Sequence, residues 1–503
     1  MRLSEVLALC EVREIRGDPA TEVTGVAYDS RRVEPGDLFV AVPGFRTNGH
    51  LYVKEAVARG AAAVLAEQPV ETGGRPVALV ADTRRALPRV AAQFFGHPSK
   101  QLRVVGVTGT NGKTTTTFLI HAILSRRHPT GLIGTVTNVV GGRRVPVEHT
   151  TPEGPDLQRM MRAMCDAGDR AVAMEVSSHA LSLHRVDAVE FDVGVFTNLT
   201  QDHLDFHGDL EHYLEAKALL FRSLGRSTWG PPKQGPKAAV LNADDPASRR
   251  MREVTAVPVL TYGLGEGADL RGEVRRMESG STRVAVEGAY GGGELLLPLP
   301  GRFNVYNALA ALGATLALGV PLDAGLEALA QAPVVPGRFE RIEGEQPFTV
   351  VVDYAHTPDG LENVLKTARE LTRGRVIVVF GAGGDRDRGK RPLMGAVAAR
   401  WADRIVLTSD NPRGEEPEAI LDDIEQGLAG TGASYTRCVD RREAIREAIA
   451  SAAPGDLVLI AGKGHETYQI FRERTVHFDD REEARAALDD LGFAVAGPRG
   501  ERP

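Results

Sequence analysis

Gly106-Val-Thr-Gly-Thr-Asn-Gly-Lys-Thr-Thr-Thr116 is the stretch of this 503-residue chain with the sharpest chemical meaning. It follows a β-branched run and opens a helical pattern, the context a nucleotide loop needs. Glycines let backbone N–H groups turn inward around phosphate oxygens, and the helix N-terminus adds favourable partial charge. Gly109, Thr110, Asn111, Gly112 and Thr115 would line such a cradle. Lys113 can bridge β- and γ-phosphates, and the Thr114 hydroxyl can ligate Mg²⁺. The pattern departs from GxxxxGK[ST], because Val107 occupies the first glycine position. The alternative is a glycine-rich turn that binds nothing.

Other residue types extend this chemistry. Glu175 closes a buried apolar run, where a carboxylate needs a metal, an arginine or a helix N-terminus. His203, in TQDHLDFHG, offers an imidazole or caps a helix with Asp202; His207 is its nearby competitor. Lys217 sits in the helical stretch Tyr213–Leu220, on a solvated face or in a site. Asn304 suits the donor–acceptor edge of adenine, or caps the apolar helix Ala308–Leu318. In Ser409-Asp-Asn-Pro-Arg413 a proline stiffens the loop that presents a guanidinium fork. An Asx turn leading into a helix after Pro417 is the other reading of that loop.

These residues need scaffolds. Val104–Val107, Ala171–Val176, Val193–Asn198 and Ala238–Asn242 are short apolar runs ending in functional or polar residues, as buried parallel strands do. Thr349–Asp353, Val376–Gly381, Arg404–Thr408 and Leu457–Gly462 repeat the theme, so two α/β sheets are expected. A helix is expected from Lys113 to about Leu124. Gly263–Leu299 alternates and is rich in glycine, which suggests a small antiparallel element between the sheets. The first 100 residues form a third unit, with strands near Gly25–Tyr28 and Leu38–Ala41 and a helix near Val53–Arg59. Gly96–Lys100 is a candidate boundary, Gln331–Gly337 a candidate linker, and Trp229–Gly235 a candidate exposed loop.

Composition narrows the classes. Hydrophobic residues at 42% and charged residues at 25% exclude disorder and a disulfide-stapled mini-fold. Sixty Lys+Arg against 67 Asp+Glu, a net charge of −7, give no reason to expect nucleic acid or a membrane surface as partner. Three widely spaced cysteines support neither a disulfide framework nor a zinc cluster, and fit reduced thiols in a cytoplasm. The N-terminus lacks the pattern of a secretory signal, and the longest apolar run, around Ala308–Val320, is too short to span a bilayer.

The phosphate loop, taken with an ordered set of motifs, resembles the Mur ligase family. These are ATP-dependent amide-forming enzymes of peptidoglycan synthesis, with folylpolyglutamate synthases among their relatives. The set runs through Asp29-Ser-Arg31, Met174-Glu-Val-Ser-Ser-His179, Thr197-Asn-Leu-Thr-Gln-Asp-His203 and Gly301-Arg-Phe-Asn304. It continues through Asp353-Tyr-Ala-His356, Gly383-Gly-Asp-Arg386, Asp410-Asn-Pro-Arg413 and Gly462-Lys-Gly-His-Glu466. The resemblance implies three α/β domains: a smaller N-terminal one for the UDP substrate (1–100), a central P-loop-type mononucleotide-binding one (101–335) and a C-terminal Rossmann-like one for the amino acid (336–503).

The resemblance also implies the reaction and its residues. An acyl phosphate would form from ATP and the D-Glu of UDP-MurNAc-L-Ala-D-Glu, and meso-diaminopimelate would displace phosphate. L-lysine or another diamino acid is the alternative substrate, and a P-loop NTPase switch the alternative class. Thr114, Glu175, His203 and Lys217 as a carbamate would hold Mg²⁺, with Lys113, Glu175, His203 and Lys217 catalytic. Asn304 would meet adenine, and Arg338 and Asp353 the ATP phosphates and ribose. Ser30, Phe45, Arg46, Thr47, Thr150, Thr151, Ser177 and Arg185 would bind the UDP-muramyl dipeptide, while turn chemistry is the other reading for Ser30 and Thr150. Leu183 stands where some relatives have Gln, so no polar contact is expected there. Arg386, Asp410, Asn411, Pro412, Arg413, Gly462 and Glu466 would hold diaminopimelate. A cytoplasmic monomer is expected.

Overall fold

The computed structural model describes residues 1–44, 47–227 and 230–495. Three main sheets divide these residues, with a separate two-stranded hairpin near the C-terminus.

The N-terminal sheet has five strands in the order Val12–Arg16, Val77–Val80, Ala63–Ala66, Asp37–Val40, Gly25–Ala27. Only the Val12–Arg16 edge runs antiparallel. Asp82 starts the helix Thr83–Phe94 by accepting from the Arg85 N–H. That helix packs towards the central unit, where Arg84 pairs with Glu153 at 2.9 Å.

The central sheet has eleven strands. Its middle is parallel, with Arg103–Thr108 between Ala171–Glu175 and Val193–Phe196. Buried strands of this kind deliver their carboxyl ends to one edge, so the phosphate loop, Glu175 and the Thr197–His203 loop converge there. Gly263–Leu299 does form antiparallel strands, Leu270–Glu278, Ser281–Gly288 and Gly291–Leu297. They are not a separate element, however. Leu270 pairs in parallel with Tyr262, so backbone hydrogen bonding extends the central sheet into this region.

The phosphate-loop helix spans Lys113–Ser125 and the apolar helix spans Arg302–Ala317. The latter begins six residues before the expected Ala308, because Gly301, at φ 101°, serves as its N-cap. Its Gly313 lies so close to the sheet that a Cβ would meet Val240 at 2.9 Å.

The C-terminal sheet has six strands in the order Glu340–Arg341, Thr349–Asp353, Leu457–Ala461, Val376–Phe380, Arg404–Leu407, Tyr435–Arg437. All pair in parallel except the first. Asp353-Tyr-Ala-His356, Gly383–Arg386, Asp410–Arg413 and Gly462–Glu466 therefore all leave carboxyl ends of one sheet. Among the described residues no helix is long and apolar enough to cross a membrane.

Candidate active site

A cavity of about 630 Å³ opens where the central and C-terminal sheets face each other. It gathers residues 109–115 with Thr150, Glu175, Ser177, His203 and Lys217, and, from the far side, Arg338 and Asp353. Two glycines make the loop possible. Gly109 has φ 150° and a Cβ there would lie 1.8 Å from Thr197 Oγ1; Gly112 has φ 85° and its Cβ would lie 2.3 Å from Asn307 Oδ1. Lys113 Nζ donates to the Gly109 and Thr110 carbonyls at 2.9 and 2.7 Å, so the ammonium sits over its own loop. Burial lowers its pKa, opposed by Glu175 and Asp202.

Glu175 is 1% exposed and, among the described residues, forms no ion pair with an arginine. Its carboxylate accepts from Thr114 Oγ1 at 3.0 Å and from the Thr135 N–H and hydroxyl at 2.8 and 3.1 Å. Arg338 Nη2 donates to the same Thr114 hydroxyl at 2.9 Å and stacks on the Tyr354 ring. The C-terminal unit thus touches the first turn of the phosphate-loop helix. Asp353 anchors that reach: its carboxylate accepts from the Phe339 and Ala355 N–H groups at 2.6 and 2.8 Å. Burial pushes its pKa up to about 6, against the pull of Arg338.

Lys217 is 1% exposed and lies 4.0 Å above the Tyr213 ring. Burial first, and Lys113 next, hold its pKa well below the usual lysine value. A solvated helix face is therefore not its environment. His203 follows its strand by several residues instead of ending it, and sits in the left-handed region at φ 55° as the N-cap of a short helix. Its Nε2 lies 3.3 Å from Asp202 Oδ2, and burial lowers its pKa. His207 turns away to Ser178 Oγ at 2.9 Å.

Among the residues expected to bind the UDP-muramyl dipeptide, Thr150 meets Thr135, and the Thr151 hydroxyl donates to the Glu175 carbonyl at 2.9 Å. The Ser177 hydroxyl caps the helix Ser178–Ser182. Arg185 donates to the Thr151 carbonyl at 3.0 Å and pairs with Glu153 at 3.0 Å. Ser30 donates to Glu55 at 3.0 Å, and Thr47 bonds the Tyr52 hydroxyl at 2.9 Å; neither lines the cavity. Phe45 and Arg46 lie outside the described residues, as does Trp229, the first residue of the expected exposed loop.

A second cluster gathers the residues expected to hold the amino acid. Asn411 donates to Glu466 at 2.8 Å, and buried Lys463 donates to both, at 3.2 Å to Asn411 and 3.1 Å to Glu466. The Ile470 N–H also donates to Asn411 Oδ1, so that side chain is held by distant partners and not by an Asx turn. Gly462, at φ 118°, donates to the Asp353 carbonyl, which joins this cluster to the nucleotide end. Tyr354 bridges the same gap by donating to Glu466 at 3.4 Å. Pro412 is buried, Arg413 half-buried and Arg386 exposed.

Comparison with known proteins matches this arrangement. Models described as "Mur ligase family, catalytic domain", "Mur ligase middle domain" and "Mur ligase, glutamate ligase domain" match residues 22–101, 107–315 and 337–464. A UDP-N-acetylmuramoyl-L-alanyl-D-glutamate--2,6-diaminopimelate ligase of Geobacillus kaustophilus is 50% identical over 477 residues, 95% of this chain and 96% of that protein. The chain belongs to the Mur ligase family. A relative of the same description from Caldanaerobacter subterraneus is 45% identical over 97% of this chain and 99% of its own. A solved ligase structure of that description superposes with TM-score 0.67 at 35% identity, covering 98% of this chain and 99% of its own. MurF ligase from Thermotoga maritima in complex with ADP shares the fold, with TM-score 0.64 at 22% identity over 93% of this chain and 97% of that one.

Within this Mur ligase the structure departs from expectation at Asn304. Its amide donates to the Pro300 carbonyl at 2.7 Å and accepts from Asn307, so it is spent inside the helix start. Asn307, one turn on, lines the cavity instead. The earlier start of the helix is the reason. Sequence reasoning also missed Thr135 and Asp359. The Asp359 carboxylate accepts from Asn111 Nδ2 at 2.7 Å, joining the C-terminal unit to the phosphate loop. Neither residue stands in a motif that marks it.

Among the described residues no three or more His, Cys, Asp or Glu side chains form a metal cage. A magnesium ion would instead rest on a mixed set: the Thr114 hydroxyl, the Glu175 carboxylate, the His203 imidazole and Lys217. That set fits, because the Glu175 carboxylate is held by hydroxyl and N–H donors alone and Lys217 is a buried amine with a depressed pKa.

Proposed function

We propose that this Mur ligase adds meso-2,6-diaminopimelate to the D-Glu of UDP-N-acetylmuramoyl-L-alanyl-D-glutamate, with ATP converted to ADP and phosphate. The single observation that carries this is 45–50% identity, over nearly the whole chain, to ligases of that description. The DNPR loop, with Arg413 free to meet a distal carboxylate, agrees with it.

The N-terminal unit (1–100) holds the UDP end, the central unit (101–335) ATP, and the C-terminal unit (336–503) the amino acid. A D-Glu carboxylate oxygen attacks the γ-phosphorus and ADP leaves; the amine then attacks the acyl carbon and phosphate leaves. Two anions must meet in the first step, so cations and dryness are needed. Lys113 and Arg338 supply fixed positive charge beside Thr114. Magnesium, when bound at Thr114, Glu175, His203 and carbamylated Lys217, neutralises phosphate charge. Burial lowers the Lys217 pKa and so favours the neutral amine, the form that attacks CO₂ in carbamylation. On the far side Glu466 and Asn411 receive the distal ammonium, and Arg413 with Arg386 the distal carboxylate. The enzyme acts as a monomer in the cytoplasm.

Oxygen-18 in the D-Glu carboxylate tests the first step: the label is expected in the released phosphate. Unlabelled phosphate would exclude an acyl phosphate. Ligation assayed across meso-diaminopimelate, L-lysine and other diamino acids tests the substrate, and preference for a diamine without a distal carboxylate would overturn it.

A further inference from the structure

Arg386 and Arg413 lie side by side against Gly383, where a Cβ would meet Arg413 Nη1 at 2.9 Å and Arg386 Cγ at 3.7 Å, and neither makes an ion pair among the described residues; their side chains donate to the Asp385 carbonyl at 2.8 Å and the Gly384 carbonyl at 2.7 Å. Two like charges side by side splay unless something holds their backbones. Both loops also carry a non-glycine residue in the left-handed region, Asp385 and Arg413, each at φ 53°. Such conformations persist only where the surroundings over-determine them.

The surroundings here centre on the Glu415 carboxylate and two guanidiniums, exposed Arg388, which donates to it at 2.7 Å, and buried Arg391. Arg391 is 0% exposed and grips Glu415 with both terminal nitrogens, at 2.8 and 3.0 Å. The same Glu415 carboxylate accepts from the Asp385 N–H at 2.6 Å, the residue before Arg386. Arg391 also donates to the Gly383 carbonyl at 3.3 Å and to Asp423 at 2.8 Å. The loops answer in kind: the Gly414 N–H donates to Asp385 Oδ2 at 3.0 Å and the Gly384 N–H to the Asn411 carbonyl at 2.9 Å. The contact is so close that a Cβ on Gly384 would lie 1.8 Å from the Pro412 carbonyl oxygen. The hydrogen bonds from Arg391 hold the Glu415 pKa down to about 2, so the brace is charged at any working pH.

We propose that Arg391 and Glu415 are positioning residues, a buried brace that fixes the spacing of Arg386 and Arg413 and thereby selects a diamino acid with a distal carboxylate. The inference rests on the ligase reading above. A bond to Asp423 alone would merely tie two helices. The bonds to Asp385 and Gly383 fall on both sides of Gly384, the residue that receives Arg413.

The test uses the full-length enzyme with Glu415→Gln and Arg391→Lys, each checked for folding by its melting temperature. Arg391→Lys keeps the charge but not the fork, and gives the same readout should Glu415→Gln fold poorly. In each variant the KM for meso-diaminopimelate is expected to rise about tenfold or more, and selectivity over L-lysine to fall about as much, while the KM for ATP moves less than about twofold. In an Arg413→Ala background, Glu415→Gln is expected to add less than about a twofold further loss, because the brace acts through Arg413. Equal losses for both amino acids, or a full additive loss beside Arg413→Ala, would overturn the proposal. A wild type that fails to ligate diaminopimelate would overturn the ligase reading and the brace's role with it; a wild type that ligates while both variants keep their selectivity sinks the brace alone.

Discussion

The Thr114 hydroxyl donates to the Glu175 carboxylate across 3.0 Å, joining the first turn of the phosphate-loop helix to the end of the neighbouring strand. Because Arg338 also donates to that hydroxyl oxygen, one small side chain lies between the buried carboxylate and the C-terminal unit's guanidinium. Thr114→Ala removes the oxygen and leaves both neighbours facing a methyl group. Ligation is expected to fall about 100-fold, whereas Thr114→Ser retains most of it. Steady-state rates decide; an alanine variant as active as the serine one would remove Thr114 from the site.

Lys217 is buried above Tyr213, and burial holds its pKa well below the usual lysine value. Lys217→Ala is expected to lose activity and to regain part of it with added acetate or another short carboxylate. Wild-type enzyme stripped of CO₂ is expected to recover on adding bicarbonate. An unaffected Lys217→Ala enzyme would end the carbamate proposal.

Under the proposed function Arg413 meets the distal carboxylate of diaminopimelate. Arg413→Ala is expected to lower kcat/KM for meso-diaminopimelate about 10–100-fold, the value of a charge-assisted hydrogen bond or two. ATP binding, read by isothermal titration, is expected to hold. An unchanged diaminopimelate KM and kcat would end the specificity argument.

Arg441 and Asp480 are both fully buried and share two hydrogen bonds of 2.7 Å. Arg441 also donates to the Ala461 carbonyl at 2.9 Å, which pins the strand end before Gly462. Arg441→Met leaves a buried carboxylate unpaired and is expected to cost about 3–5 kcal/mol in urea unfolding. Adding Asp480→Leu is expected to return much of that loss. A single variant as stable as wild type would show the pair to be dispensable.

His356 gives a pH dependence. Burial first, then Lys390, hold its pKa down to about 4, while Asp202 and the Tyr354 carbonyl favour the proton and Arg338 opposes it. Between its ordinary value of 6.5 and about 4, the unfolded chain binds a proton that the folded chain refuses. Stability therefore falls as pH drops through that window. Urea midpoints at pH 7 and pH 5 are expected to differ less in His356→Gln than in wild type. Equal differences would show that His356 does not contribute.

Much of this protein was legible without coordinates. Apolar runs ending in polar residues located the strands that carry the site, four in each of the two larger sheets, since a strand buried on both faces has little choice of side chain; Thr130–Ile133 and Val259–Gly263 were not among them. The phosphate loop was legible because its glycines, lysine and threonine act within one turn of each other. The antiparallel strands after Gly263 were legible as strands but not as an edge of the central sheet, since alternation says nothing about which neighbour supplies the hydrogen bonds.

Short-range chemistry was written in the residues; long-range partnership was not. Arg338 and Thr114 are 224 positions apart, and only the facing of two sheets makes them neighbours. That Asn307 and not Asn304 lines the cavity turned on where a helix begins, which Gly301 sets through its backbone conformation. Arg391 reads as one more charged residue on a helix until folding buries it against Glu415. A side chain's type limits what bonds it can make, but packing decides which of them it is left free to make for a ligand.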